Sequence, residues 1–144
     1  MTGITVSFSL KDKDVNEKLK KVLFRSMVDM QKIAKQGAPV DTGRLINSIK
    51  LFPSSPGSTQ YLLIATVNYA GDVEYGTSPH FVSEKALKGW AKRKLGDEDA
   101  AGAVSQKIQR EGTNAQPFMR PALEQVKYKK LKIHFDRILG ESSI

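Results

Sequence analysis

The chain has 144 residues, 40% of them hydrophobic, no cysteine and a formal net charge of +8. This length suits one domain with its own core, while the missing cysteines exclude disulfides, thiolate metal sites, iron–sulfur clusters and cysteine nucleophiles. No apolar run approaches the roughly 18 residues of a membrane-spanning helix, and His80 and His134 stand far apart without a carboxylate at ligand spacing, so neither a metal site, a cofactor nor a histidine acid–base pair is expected.

The segment Met1-Thr2-Gly3-Ile4-Thr5-Val6 has neither the basic nor the apolar region of a secretory leader, and the expectation is a product that stays in the cytoplasm where it is made. From Ile4 to Leu10, the residues Ile4, Val6, Phe8 and Leu10 alternate with Thr5, Ser7 and Ser9, the period of a strand with one buried face. Asp14 is placed to cap a helix, with Glu17 three residues on in a capping-box arrangement. The spacing of Val15, Leu19, Val22, Leu23, Met27, Met30, Ile33 and Ala34 predicts one long helix from Val15 to about Gln36, stopped by Gly37 and Pro39. Phe24 and Val28 project opposite that stripe, among Lys20, Lys21, Lys32 and Lys35. They are either scattered surface apolar residues or a face for another subunit.

After a short turn-and-helix segment at Asp41 to Ser48, Ile49-Lys50-Leu51-Phe52 predicts a strand, and Pro53 to Ser58 an exposed loop. Tyr61 to Val67, almost wholly apolar and partly β-branched, predicts a central strand covered on both faces, although a buried helix turn has the same pattern. Gly71 to Phe81 reads as turns. Ser83 then caps a helix on which Leu87, Trp90, Ala91 and Leu95 share a face, ended by Gly96. Its other face is basic: Lys85, Lys88, Lys92, Arg93 and Lys94 suit either solvent or phosphates. Asp99 opens a second short helix ending at Gly112, and residues 78–112 together read as a basic helical insertion.

Pro121 suits the first turn of a C-terminal helix reaching about Leu139. Its apolar residues form two groups, Met119, Ala122, Val126 and Ile133 against Tyr128, Leu131, Phe135 and Ile138. The second group fits a neighbouring subunit, but a kink, or an extended piece over Leu131 to Phe135, fits the same pattern.

Three ordered segments, Ala38-Pro39-Val40-Asp41-Thr42-Gly43-Arg44-Leu45 with Ser48-Ile49, Tyr69-Ala70-Gly71-Asp72-Val73-Glu74-Tyr75-Gly76-Thr77, and Gln116-Pro117-Phe118-Met119-Arg120-Pro121-Ala122-Leu123, resemble the tail-completion or head-to-tail joining proteins of long-tailed bacteriophages and prophages. The resemblance runs from about Val15 to Leu139. It departs from the family pattern at Gly71 and Asp72, where the chain would run straight from an alanine into the acidic-aromatic-glycine turn, and at Met119, which stands for a commoner leucine.

The resemblance implies an α+β fold, with a small, mostly antiparallel sheet packed against a long N-terminal helix and a C-terminal helix. It implies a non-enzymatic virion protein of the tail or neck that completes the tail in the host cytoplasm. This protein would form a homo-oligomeric ring, six-fold in expectation, meeting the tail-tube protein on one side and a head connector or stopper protein on the other. DNA would pass through non-specifically, and no membrane is involved. Pro39, Gly43, Gly76, Pro117, Phe118 and Pro121 are then structural motif residues that set backbone geometry. Asp41, Arg44, Glu74 and Arg120 are candidates for ion pairs at the fold's edge or between subunits, beside Phe24, Val28, Tyr128, Leu131 and Phe135 as subunit-interface candidates. The alternative is a basic nucleic-acid-binding module built on the Ser83 to Leu95 helix, although Trp90, its one aromatic residue, lies on the core face.

Overall fold

The apolar run at Tyr61 to Ala65 organises the fold, because a strand apolar on both sides must sit between other strands and under a helix. In the computed structural model, which describes residues 4–9, 17–58 and 60–140, β3 (Gln60–Ala65) lies between β1 (Ile4–Ser9) and β2 (Ile49–Pro53), antiparallel to both. Leu63, Ile64 and Ala65 are buried in succession, so the expected central strand is found. The register sets Ile4, Val6 and Phe8 opposite Ala65, Leu63 and Tyr61. Leu10, the Asp14 cap and Val15 lie outside the described residues.

The sheet meets α1 (Glu17–Gly37) through β2 and β3. Val22, Leu23, Met27, Met30 and Ala34 are buried along one stripe and Ser26 joins them, its hydroxyl donating to the Val22 carbonyl at 2.8 Å. Leu23, Met27, Met30, Ile49, Leu63, Phe118, Met119 and Val126 form the heart of the core. Each such side chain contributes about 1.5–3 kcal/mol of hydrophobic transfer. The short α2 (Arg44–Ser48) follows Gly43, whose φ of 81° is the left-handed conformation expected of it.

The stretch read as turns from Gly71 contains a helix, α3 (Ala70–Tyr75). Its Ala70 and Glu74 are both buried. No side chain caps its start, and glycine at its second position lowers its intrinsic propensity, which is why the pattern does not announce it. Tertiary burial of the i, i+4 pair holds it instead.

Residues 83–112 fold much as predicted. Ser83 accepts from the Ala86 amide at 3.3 Å and opens α4 (Glu84–Leu95), which Gly96 ends in the left-handed region. The cap of the next turn is Asp97, not Asp99: Asp97 accepts from the Asp99 amide at 2.9 Å ahead of a short 3-10 turn and α5 (Ala101–Glu111). Ala91 is buried and Leu87 and Trp90 half-buried, but Leu95 is exposed because the helix ends before a neighbour reaches it.

The C-terminal helix is neither broken nor extended. It consists of α6 (Met119–Gln125), a π-turn over Val126–Lys130 and α7 (Leu131–Gly140). A π-turn inserts one residue into the helical repeat and rotates everything after it, which accounts for two apolar groups on one helix. Met119 and Ala122 ahead of it and Val126 at its first position are buried, whereas Ile133, expected on the same side, is exposed. Leu131 is half-buried, and the side chains of Phe135 and Ile138 lie outside the described residues. His134 Nε2 and Asp29 Oδ2, 2.6 Å apart, tie α7 to α1.

Candidate functional site

The segments at 69–77 and 116–123 meet at Glu74, and the 38–45 segment faces Tyr69, Val73 and Gln116 of the same two across a cavity. The Glu74 side chain is 2% exposed. Its Oε2 accepts from the Phe118 and Met119 amides at 2.8 and 2.9 Å, and its Oε1 from the Arg120 amide at 2.9 Å. These are the unpaired amides that every helix leaves at its N-terminus, and a carboxylate there is also favoured by the helix dipole. Beside it the Gln116 amide donates to the Val73 carbonyl at 2.7 Å. Phe118, 1% exposed, is driven into the core just ahead of α6.

This corrects the expectation for Glu74. It forms no ion pair with Arg44 or Arg120, and it is not available to another subunit, because its oxygens are committed to amides of its own chain. Arg120 instead lies over the exposed Tyr75 ring, 5.5 Å from its centroid.

Asp41 is paired, but with Arg93 rather than Arg44 or Arg120. Arg93 Nε and Nη2 donate to Asp41 Oδ1 and Oδ2, each at 2.7 Å, in the two-pronged geometry that guanidinium and carboxylate share. The hydrogen bond from Arg93, with the positive charges of Arg93 and Lys94, holds the Asp41 carboxyl below its ordinary value, and the same bond raises Arg93. Lys94 Nζ also donates to the Val40 carbonyl. Arg44 is exposed.

The five basic residues of α4 therefore divide into two sets. Arg93 and Lys94, though exposed, are directed at the 38–43 segment, and their bonds to Asp41 and the Val40 carbonyl occupy them in this conformation. Lys85, Lys88 and Lys92 remain exposed and share an outward stripe, within an arc of roughly 60° at 100° per residue.

The α4–α5 hairpin joins the body through a narrow neck. Thr77 and Thr113 exchange backbone hydrogen bonds of 3.0 and 3.2 Å, and their hydroxyls lie 2.9 Å apart. Gly76 and Gly112, both with φ of 73°, immediately precede them. A Cβ on Gly76 would stand 2.5 Å from the Thr113 carbonyl oxygen, and one on Gly112 would stand 2.0 Å from that of Thr77. Both positions therefore demand glycine twice over, for conformation and for space. Between hairpin and body lie two cavities of about 500 and 590 Å³, which share Tyr69, Val73, Trp90 and Gln116 on their walls. His80 lines the first, its Nδ1 2.9 Å from the Ser78 carbonyl.

Phe24 and Val28 are 48% and 41% exposed on the outer face of α1, and Tyr128 is 70% exposed at the middle of the π-turn. Phe24 is partly covered by its own chain, its ring 5.7 Å from that of Tyr61. Among the described residues no group of His, Cys, Asp or Glu is arranged to hold a metal ion, and no helix is long and apolar enough to cross a membrane. Sequence reasoning missed the Thr77–Thr113 neck, the Asp41–Arg93 pair and the Asp29–His134 tie. The Gly-Thr pairs at 76–77 and 112–113 were the one signal in the sequence for the first.

No protein-family model matches the chain, and neither do any curated protein or solved structure.

Proposed function

We propose that the chain is a structural virion protein of a tailed virus, which completes the tail and joins it to the head connector as a homo-oligomeric ring around the DNA channel. The observation that carries this reading is the convergence of the three resembling segments. Although 23 and 38 residues separate them in sequence, they build one joint through Glu74, Gln116 and the 38–45 segment. The joint is built of main-chain amides held by one carboxylate, and the hydroxyl–imidazole approach beside it, Thr77 Oγ1 to His80 Nδ1 at 3.4 Å, sets no base on the hydroxyl, because that nitrogen donates to the Ser78 carbonyl at 2.9 Å; such an arrangement suits an assembly protein better than a catalyst. The exposed Phe24, Val28 and Tyr128 supply apolar surface on faces that a ring subunit has to bury twice, once on each side. On this reading the partners are further copies, a tail-tube protein and a connector or stopper protein.

The outward stripe of Lys85, Lys88 and Lys92 favours a second reading, a basic nucleic-acid-binding module. Light scattering across a concentration series, with negative-stain images of the same fractions, separates the two. Uniform rings support the assembly protein. Tight, steeply salt-dependent binding of duplex DNA by a strict monomer would replace that reading with the second.

A further inference from the structure

We propose that the α4–α5 hairpin is a lever that pivots at the Thr77–Thr113 neck and is latched against the body by the Asp41–Arg93 clasp. Its helices and the 3-10 turn between them pack chiefly on one another, with Ser105 donating to the Val82 carbonyl at 2.6 Å inside the module. Both crossings from body to hairpin pass through a glycine with φ of 73° followed by a threonine of the two-residue bridge. Such a neck resists stretching but leaves the hairpin one line to turn about. Across the interface there is little close packing, since the two cavities occupy it. What spans it farthest from the neck is polar: the two-pronged Arg93–Asp41 pair and the Lys94 bond to the Val40 carbonyl.

A hydrophobic interface closes irreversibly on the scale of thermal energy; an exposed ion pair over a half-filled gap does not. Salt screens such a pair, and a competing anion or cation replaces either half. On this proposal the hairpin exchanges between a latched and a released position, and the clasp sets the balance between them. Release turns Trp90 and the walls of the gap toward solvent. The device operates in the isolated chain, whatever that chain assembles into.

Trp90 is the protein's single tryptophan and lines both cavities, so it reports the latch without any label. Acrylamide, being uncharged, measures its accessibility without responding to the charges altered. For Asp41→Asn and for Arg93→Gln, each with an unchanged far-UV spectrum, the expected result is a roughly twofold larger quenching constant with a red-shifted emission. Molar salt should move the wild type the same way. The reversed pair Asp41→Arg with Arg93→Asp should return both readings toward wild type. Quenching in both single variants indistinguishable from wild type would overturn the latch, and so would a reversed pair no better than its parents.

Discussion

Replacing Glu74 by glutamine tests the joint most directly, because it changes one atom and almost no volume. The carbonyl oxygen of glutamine still accepts from Phe118 and Met119, but its amide group then faces the Arg120 amide, donor against donor. The charge that favoured the α6 N-terminus is lost as well. One broken charge-assisted bond, with an amide left unsatisfied, costs about 3 kcal/mol. At about 2–4 °C per kcal/mol for a chain of this length, the thermal midpoint should fall by roughly 6–12 °C. Glu74→Ala strands all three amides and should cost about 4–5 kcal/mol, against a total stability on the order of 5–15 kcal/mol. Calorimetry of Glu74→Gln beside Asp72→Asn, an exposed carboxylate on the same short helix, is the measurement. If both variants melt within about 2 °C of wild type, roughly 1 kcal/mol or less by the same conversion, Glu74 does not hold the joint.

The glycines give a graded series by denaturant unfolding. Gly57→Ala, at φ of 73° with nothing nearby, should cost only the left-handed penalty of about 1 kcal/mol, whereas Gly112→Ala must also displace the Thr77 carbonyl and should cost about 3 kcal/mol or more. Asp41 is held low in the folded chain by Arg93, so the stability from this pair is present above the unfolded carboxyl's value, near 3.9, and is lost as pH falls through the lower folded one. NMR titration of the Asp41 carboxyl should therefore give a midpoint below the ordinary aspartate range, returning to it in Arg93→Gln. Asp29→Ala removes the partner of His134 and should cost about 1–2 kcal/mol, with hydrogen exchange in α7 rising first. On the proposed ring assembly, Phe24→Asp and Val28→Asp should both abolish rings in light scattering; Val28→Asp should leave the monomer's melting within about 2 °C of wild type, whereas Phe24→Asp also loses its contact with the Tyr61 ring and should lower it by a few degrees.

Much of the secondary structure was legible because local physics dictates it. The 3.6-residue stripe from Val22 to Ala34, the two-residue alternation of β1, the Ser83 cap and the stops at Gly37, Gly96 and Gly112 all act within a few residues, and the elements stand where these signals put them. What failed locally did so for a tertiary reason. α3 has no cap and a glycine inside it, and it exists because Ala70 and Glu74 are buried together. The C-terminal helix carries two apolar faces because a π-turn rotates one past the other, and a pattern of spacings does not separate such a turn from a kink.

The sequence by itself determined which residue types are present to act: basic side chains in surplus, no thiol, and three glycine- and proline-marked segments in order. Which of those residues meet was decided only by the folded chain. Asp41 and Arg93 lie 52 positions apart, and Glu74 stands 44 to 46 positions before the amides it caps. Charge alone offered Arg44 and Arg120 as equally good partners, since an ion pair at such separation has no periodicity. Partners are selected when burial of the apolar core brings distant segments together, leaving Glu74 with unpaired amides within reach and Asp41 beside Arg93 of α4.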